Sequence, residues 1–139
     1  MGSVRSKTVK RTIDTPDNAD VLGPYSHGTT DGSVLYTAGQ IPITPSGEVL
    51  ADDPIGVQTE QSLSNVERIL AAAGLSTEHV LKTTVYMTDI NDFDGMNEVY
   101  WSFFESEPPA RTALEVQRLA DGADIEIEAV ATVPDAASK

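Results

Sequence analysis

The chain has 139 residues, carries 22 Asp or Glu against 9 Lys or Arg for a net charge of −13, and contains no cysteine. This length fits one domain that buries a core without cross-links; the missing cysteines exclude disulfides, thiolate metal sites and thiol catalysis, and the charge opposes nucleic acid and anionic lipid over most of the surface. No run approaches the roughly 20 apolar residues of a membrane span, and no apolar N-terminal core marks a signal peptide, so a soluble, cytoplasmic protein without a membrane partner is expected. Twelve Asp, ten Glu and four Lys suit either an ordinary acidic protein or a surface adapted to high salt, where screening shortens repulsion to roughly 3 Å at 1 M.

Residues 1–7 read as a loose polar tail, with Met1-Gly2-Ser3-Val4-Arg5-Ser6 matching a short acylation pattern that a disordered start explains better. Thr8 to Ile13 alternates as a first strand. Asp14 to Asp20 is loop chemistry, and the turn at Gly23-Pro24 presents Tyr25. Ser26 to Thr29 pairs with Val34 to Gln40 through Thr30-Asp31-Gly32-Ser33 as a hairpin. Pro42 ends that strand, and Gly39 marks a bulge or a close backbone approach. Asp53-Pro54 starts a helix with Asp53 as N-cap; Leu63, Val66, Ile69, Leu70 and Ala73 share one face, and Gly74 ends it.

Ser76 to His79 forms a single turn. Val80 to Thr88 follows as a strand with Leu81, Thr83, Val85 and Met87 on one face. A second helix, capped by Asn91 or Asp92, aligns Phe93, Met96, Tyr100, Phe103 and Phe104. Strands at Arg111–Val116 and Ile125–Val133 complete the order β, hairpin, α, β, α, β, β, an α+β layer with both helices on one face of the sheet. Along the last strand Ile125, Ile127, Ala129 and Ala131 face the helices. Glu126, Glu128, Val130 and Thr132 form a mixed opposite face, suited to a wet subunit interface or to solvent. The tail from Pro134 to Lys139 is expected to be loose, leaving an ordered core of about 8–133.

His27 and His79 lack paired metal-ligand spacing, so no metal site is expected, and serine-hydrolase, phosphate-loop and dinucleotide motifs are absent. Arg111 stands out. In a chain this poor in cations it enters an apolar strand directly after Pro108-Pro109-Ala110, and its planar fork suits bidentate grip of a carboxylate. The partner is either a small organic acid or an internal carboxylate, Glu115, Glu126 or Glu128.

The chain resembles the RidA (YjgF/YER057c/UK114) family of reactive-intermediate deaminases. The matching stretches include Gly23-Pro24-Tyr25-Ser26, Ala38-Gly39-Gln40-Ile41-Pro42, Gln61-Ser62-Leu63-Ser64-Asn65-Val66, Lys82 to Met87, Asn91-Asp92-Phe93, Pro109-Ala110-Arg111-Thr112 and Ile125 to Ala129, in unbroken order over about residues 20–133. The resemblance implies a chorismate-mutase-like fold, a homotrimer with active sites between subunits, and cofactor-free hydrolysis of 2-imino and enamine acids, such as 2-aminoacrylate or 2-iminobutanoate, to 2-oxo acids and ammonia. It assigns the substrate carboxylate to Arg111 and the attacking water to Glu126, with Glu128 as the substitute, and it lines the pocket with Tyr25, Gly39, Asn97 and the backbone at Ala113. Ala113 and Ala38 stand where many relatives carry cysteine and serine, which bears on substrate preference. The alternative is a non-catalytic trimer that binds small carboxylates or proteins as a regulator or holdase.

Overall fold

The computed structural model describes residues 9–135. Six strands form one sheet in the order β1-β2-β3-β6-β4-β5, from β1 (Arg11–Ile13), β2 (Gly28–Thr30), β3 (Val34–Thr37), β4 (Val80–Met87), β5 (Ala110–Glu115) and β6 (Ile125–Thr132). Helix α1 (Ile55–Ala72) joins β3 to β4, and α2 (Phe93–Phe103) joins β4 to β5. Strands β4 and β5 are parallel and every other pairing is antiparallel, so β6 inserts between the two strands that α1 connects.

The core lies between this sheet and the helices. Ile125, Ile127, Ala129 and Ala131 from β6, Val85 and Met87 from β4, and Leu35 from β3 pack against Leu63, Val66 and Leu70 of α1 and Met96 and Tyr100 of α2. The period-2 pattern of β6 therefore decides which face the helices cover. The other face carries Tyr36, Val130, Glu128, Tyr86, Glu126 and Leu114 with no element of the described chain packed over it. Tyr36 is 55% exposed there.

Several local expectations change. The helix start falls one residue later than Asp53: Pro54 occupies the N-cap position with extended backbone and no side-chain cap, because its fixed φ serves the entry without a capping oxygen. Neither Asn91 nor Asp92 caps α2 through its side chain. Asp89 instead accepts from the Asn91 amide and opens a 3-10 turn over Ile90–Asp92. On β4 a register shift between Val80 and Lys82 puts Val80 in the core and leaves Leu81 54% exposed, since one extra residue inverts the alternation beyond it. Phe104 is buried from the C-cap rather than from the helix.

Gly74, at φ +77°, does end α1 in a left-handed turn, with the Leu75 amide closing on the Leu70 carbonyl at 2.9 Å. Helix α1 also buries Gln58, Thr59, Ser62 and Asn65 among its apolar residues, polar positions that the periodicity overlooks. The acylation pattern at 1–6, the tail 1–7, Thr8 of the first strand and the end of the chain at 136–139 lie outside the described residues.

Candidate functional site

The residues assigned to the site fall into two groups on opposite faces of the sheet. Arg111 stands level with Thr83 across the parallel β4–β5 pair, and Thr83 points into the helix side, where its hydroxyl meets the Tyr100 hydroxyl at 2.7 Å. Arg111 therefore reaches toward α2. Its Nη1 donates to Oδ1 of Asn97 at 2.6 Å and approaches Sδ of Met96 at 3.7 Å. Its guanidinium carbon lies 4.7 Å from the Tyr100 ring centroid and 5.3 Å from that of Phe93. Ala113, two residues along, shares this face and packs against the core.

This is a cation surrounded by neutral acceptors and π faces. Ring quadrupoles and an amide oxygen stabilise the charge, but none of the three carboxylates weighed as internal partners pairs with it. Glu115 accepts from the Ile90 amide at 2.8 Å. Glu128 accepts from the Tyr86 hydroxyl at 2.9 Å, and Glu126 lies against Gly39. A guanidinium offers five N–H donors, and one direct oxygen acceptor leaves most of that fork for an incoming anion.

The second group lies on the uncovered face. Glu126 stands level with Tyr86 across β4–β6 and beside the irregular segment 38–43. A two-way bridge holds that segment to β6, with Gln40 N donating to the Ile127 carbonyl at 2.8 Å and Ile127 N donating to the Gln40 carbonyl at 3.1 Å. The bridge brings Gly39 under the Glu126 side chain. A Cβ at position 39 would collide with Oε2 of Glu126 and come within 2.8 Å of its Cδ, so the close approach expected at Gly39 is made by the chain's own carboxylate. Leu22, Tyr25, Ala38, Gly39, Ile41, Ala120 and Glu126 line an open cleft of about 390 Å³. Burial raises the proton affinity of Glu126, and the neighbouring Glu128 charge raises it further.

Tyr25 is half exposed at the cleft mouth, its hydroxyl accepting from the Leu22 amide at 3.3 Å. The loop before it is clamped by His27, whose Nδ1 accepts from the Thr15 amide at 3.1 Å while Nε2 meets the Ala19 carbonyl at 2.9 Å. His79 closes its own turn by accepting from the Ser76 amide. Both histidines thus serve backbone, and no cluster of three metal-ligating side chains occurs among the described residues.

Arg111 and Glu126 are offset by three residues along the strands and by two strand spacings, about 14 Å between Cα atoms, with their side chains leaving opposite faces. Sequence reasoning named both but missed the holders: Phe93, Met96 and Tyr100 looked like core alone, and Tyr86 looked like a strand residue. The available signal was the aromatic face of α2 just ahead of the lone arginine.

The fold and the two half-sites define a small α+β protein with one helix-covered sheet face and one open face that carries a cleft and a carboxylate. A sequence description of the family Endoribonuclease L-PSP matches residues 15–133. The chain is 48% identical to a RutC family protein of Pyrococcus horikoshii over 88% of this chain and 98% of that one. It is 41% identical to a human protein named 2-iminobutanoate/2-iminopropanoate deaminase, over 91% and 92% of the two chains. The crystal structure of Escherichia coli TdcF with bound serine superposes with a TM-score of 0.84 at 40% identity, over 88% of this chain and 98% of that one. The chain belongs to the Endoribonuclease L-PSP family, and it is 43% identical over 89% of its length to the YjgF gene product of Escherichia coli, one of the proteins of the resemblance. Among the described residues no helix is long and apolar enough to cross a membrane.

Proposed function

We propose that this chain is a deaminase that hydrolyses small 2-imino acids, the imine tautomers of enamine acids, to 2-oxo acids and ammonia. The deaminase names of relatives at 41–43% identity over most of the chain support the reaction class. The observation that carries the substrate class is the guanidinium of Arg111, held by an amide oxygen, a thioether and two rings with its fork free. Such a group takes a carboxylate, and serine bound to the TdcF relative is an acid of that size.

The chemistry asks little of the protein. An imine carbon is already electrophilic, so fixing the acid and aiming one water supplies most of the acceleration. Arg111 holds the carboxylate. Glu126 takes a proton from the water as its oxygen adds to the C=N carbon and returns it to nitrogen; the hydroxyl proton of the resulting carbinolamine then passes by the same carboxylate to that nitrogen as the C–N bond breaks, so ammonia leaves and the 2-oxo acid remains. Tyr25 and Gly39 shape the Glu126 side of the pocket, and Asn97 and Ala113 shape the Arg111 side.

One chain holds these halves about 14 Å apart on opposite faces, so the working site joins Arg111 of one copy to Glu126 of the next around a homotrimer. The bare, mixed sheet face supports that assembly. The word endoribonuclease in the family description fits this chain poorly, since a net charge of −13 repels a phosphate backbone.

The test is ammonia release from 2-aminoacrylate generated by a serine or threonine dehydratase, with and without the protein. No acceleration would sink the reaction. Mixing Arg111→Ala and Glu126→Gln subunits tests the assembly: each variant alone is inactive, and random reassembly of a cyclic oligomer restores up to about a quarter of wild-type activity. No recovery after verified subunit exchange would place both halves in one chain.

A further inference from the structure

The Glu126 half-site hangs on a strap of backbone, residues 38–43, that belongs to no regular strand. Its hold on β6 is the isolated bridge between Gln40 and Ile127. Pro42 has no N–H to give, and the Ile43 amide folds back onto the Ile41 carbonyl at 2.7 Å. The strap's ends are tied to other loops, by the Ala38 amide on the His27 carbonyl at 2.8 Å, the Leu50 amide on the Pro42 carbonyl at 3.0 Å and the bridge between Ile43 and Val49, but backbone with one bridge to β6 needs another anchor if the side chain resting on it is to stay aimed.

Asn65 supplies that anchor from α1. It is 1% exposed, and its Nδ2 donates to the Ile43 carbonyl at 2.8 Å and the Ile41 carbonyl at 3.3 Å. Its Oδ1 accepts from Gln61 Nε2 at 2.9 Å and from Arg68 Nη1 at 3.3 Å, so all the hydrogen-bonding positions of the amide are used. The Asn65 carbonyl also receives Nδ2 of buried Asn18 at 2.9 Å, which ties down the loop leading to Tyr25. Burying an amide on an apolar helix face costs stability unless it is bonded. Here the two acceptor bonds stay on α1, and both donor bonds go to the strap.

We propose that Asn65 is a positioning residue for the reaction: it fixes the height of the strap against β6 and, through Gly39, the direction of the Glu126 carboxylate. It touches neither substrate nor water. The inference rests on the reading of Glu126 as the water-handling group.

The test uses Asn65→Asp, which keeps the shape but turns an acceptor toward two carbonyls, and Asn65→Ser, which is too short to reach them both. Glu126 is titrated by carboxyl-carbon NMR in the full-length protein; Glu128 and Tyr86, the titratable groups beside it, are unchanged. In parallel, kcat and the affinity for 2-oxobutanoate are measured. The strap loosens, and the Glu126 midpoint moves down toward the ordinary glutamate range. The kcat falls about 100-fold, as for a misplaced reacting group, while 2-oxobutanoate affinity stays within about twofold because Arg111, which grips the carboxylate, is held by Asn97, Met96, Phe93 and Tyr100 and by nothing on the strap. A folded variant with an unmoved midpoint and unchanged kcat overturns the proposal. So does a parallel loss of kcat, affinity and Tm with no change in the Glu126 titration, the signature of general destabilisation. If the wild type releases no ammonia, the deaminase reading fails, and the NMR titration still decides whether Asn65 governs Glu126.

Discussion

The two half-sites handle charge in opposite ways. On the helix side, Arg111 is a cation kept from every nearby carboxylate and steadied by Asn97, Met96, Phe93 and Tyr100. On the open side, Glu126 is an anion placed beside another anion, Glu128, and over the backbone of Gly39. Within one chain they leave opposite faces about 14 Å apart, too far to form an internal pair that would satisfy both charges. A sheet between them keeps the cation free for an acid and the carboxylate free for a proton. Arg111→Ala is expected to lower kcat/KM at least about 100-fold, the equivalent of losing roughly 3 kcal/mol of charged hydrogen bonding. Arg111→Lys keeps the charge but not the fork and should recover part of the loss. Steady-state kinetics on both variants decide it, and full activity in Arg111→Ala would remove the anchor.

Disturbing the other half should leave the anchor intact. Gly39→Ala drives a methyl into the Glu126 carboxylate, so kcat should fall about 10- to 100-fold while 2-oxobutanoate still binds. Equal losses in kcat and binding would show that the halves are not separable. Glu126→Gln separates function from stability. The folded state raises the proton affinity of Glu126, so between the ordinary glutamate range and that raised value the native state binds more protons than the unfolded one, and stability falls as pH rises. The glutamine variant should be inactive yet melt above wild type at pH 7. That advantage should shrink as pH falls through the window, and a lower Tm at pH 7 would contradict the burial cost assigned to this carboxylate.

Much of this was legible in the residues. The alternation from Ile125 to Ala131 gave the covered face of β6, the aligned apolar positions gave α1, and the oddity of one arginine on an apolar strand pointed to Arg111, which no internal carboxylate among the described residues pairs. What failed to show depends on long-range register. A period of two cannot announce the extra residue at Leu81, and nothing local to Arg111 or Glu126 says that they leave opposite faces, because this follows from Thr83 and Tyr86 lying level with them on the strand between. Asn65 was hidden for a related reason: an amide on a helix face looks like a flaw until the strap it bonds, more than twenty residues earlier, is in place.

The smallest perturbation probes how finely the open face is tuned. Tyr86 stands level with Glu126 but gives its hydroxyl to Glu128 at 2.9 Å, and that bond with the two carboxylate charges holds the phenol's own proton more tightly than usual. Tyr86→Phe keeps the ring and removes the donor, so Glu128 loses a partner that helps hold its negative charge in place. The loss is about 1 kcal/mol for a hydrogen bond to a charged group on a partly exposed surface, too little to unfold the protein. Without that bond the Glu128 carboxylate is free to turn away from Glu126 and repels its charge less. The acid limb of kcat/KM, which reports the protonation of Glu126, should then move to lower pH while the plateau stays within about threefold of wild type. A pH–rate profile measures both. A collapsed plateau would mean that Tyr86 touches the reacting atoms itself, whereas an unmoved limb would mean that burial alone sets the proton affinity of Glu126 and that Glu128 is a bystander.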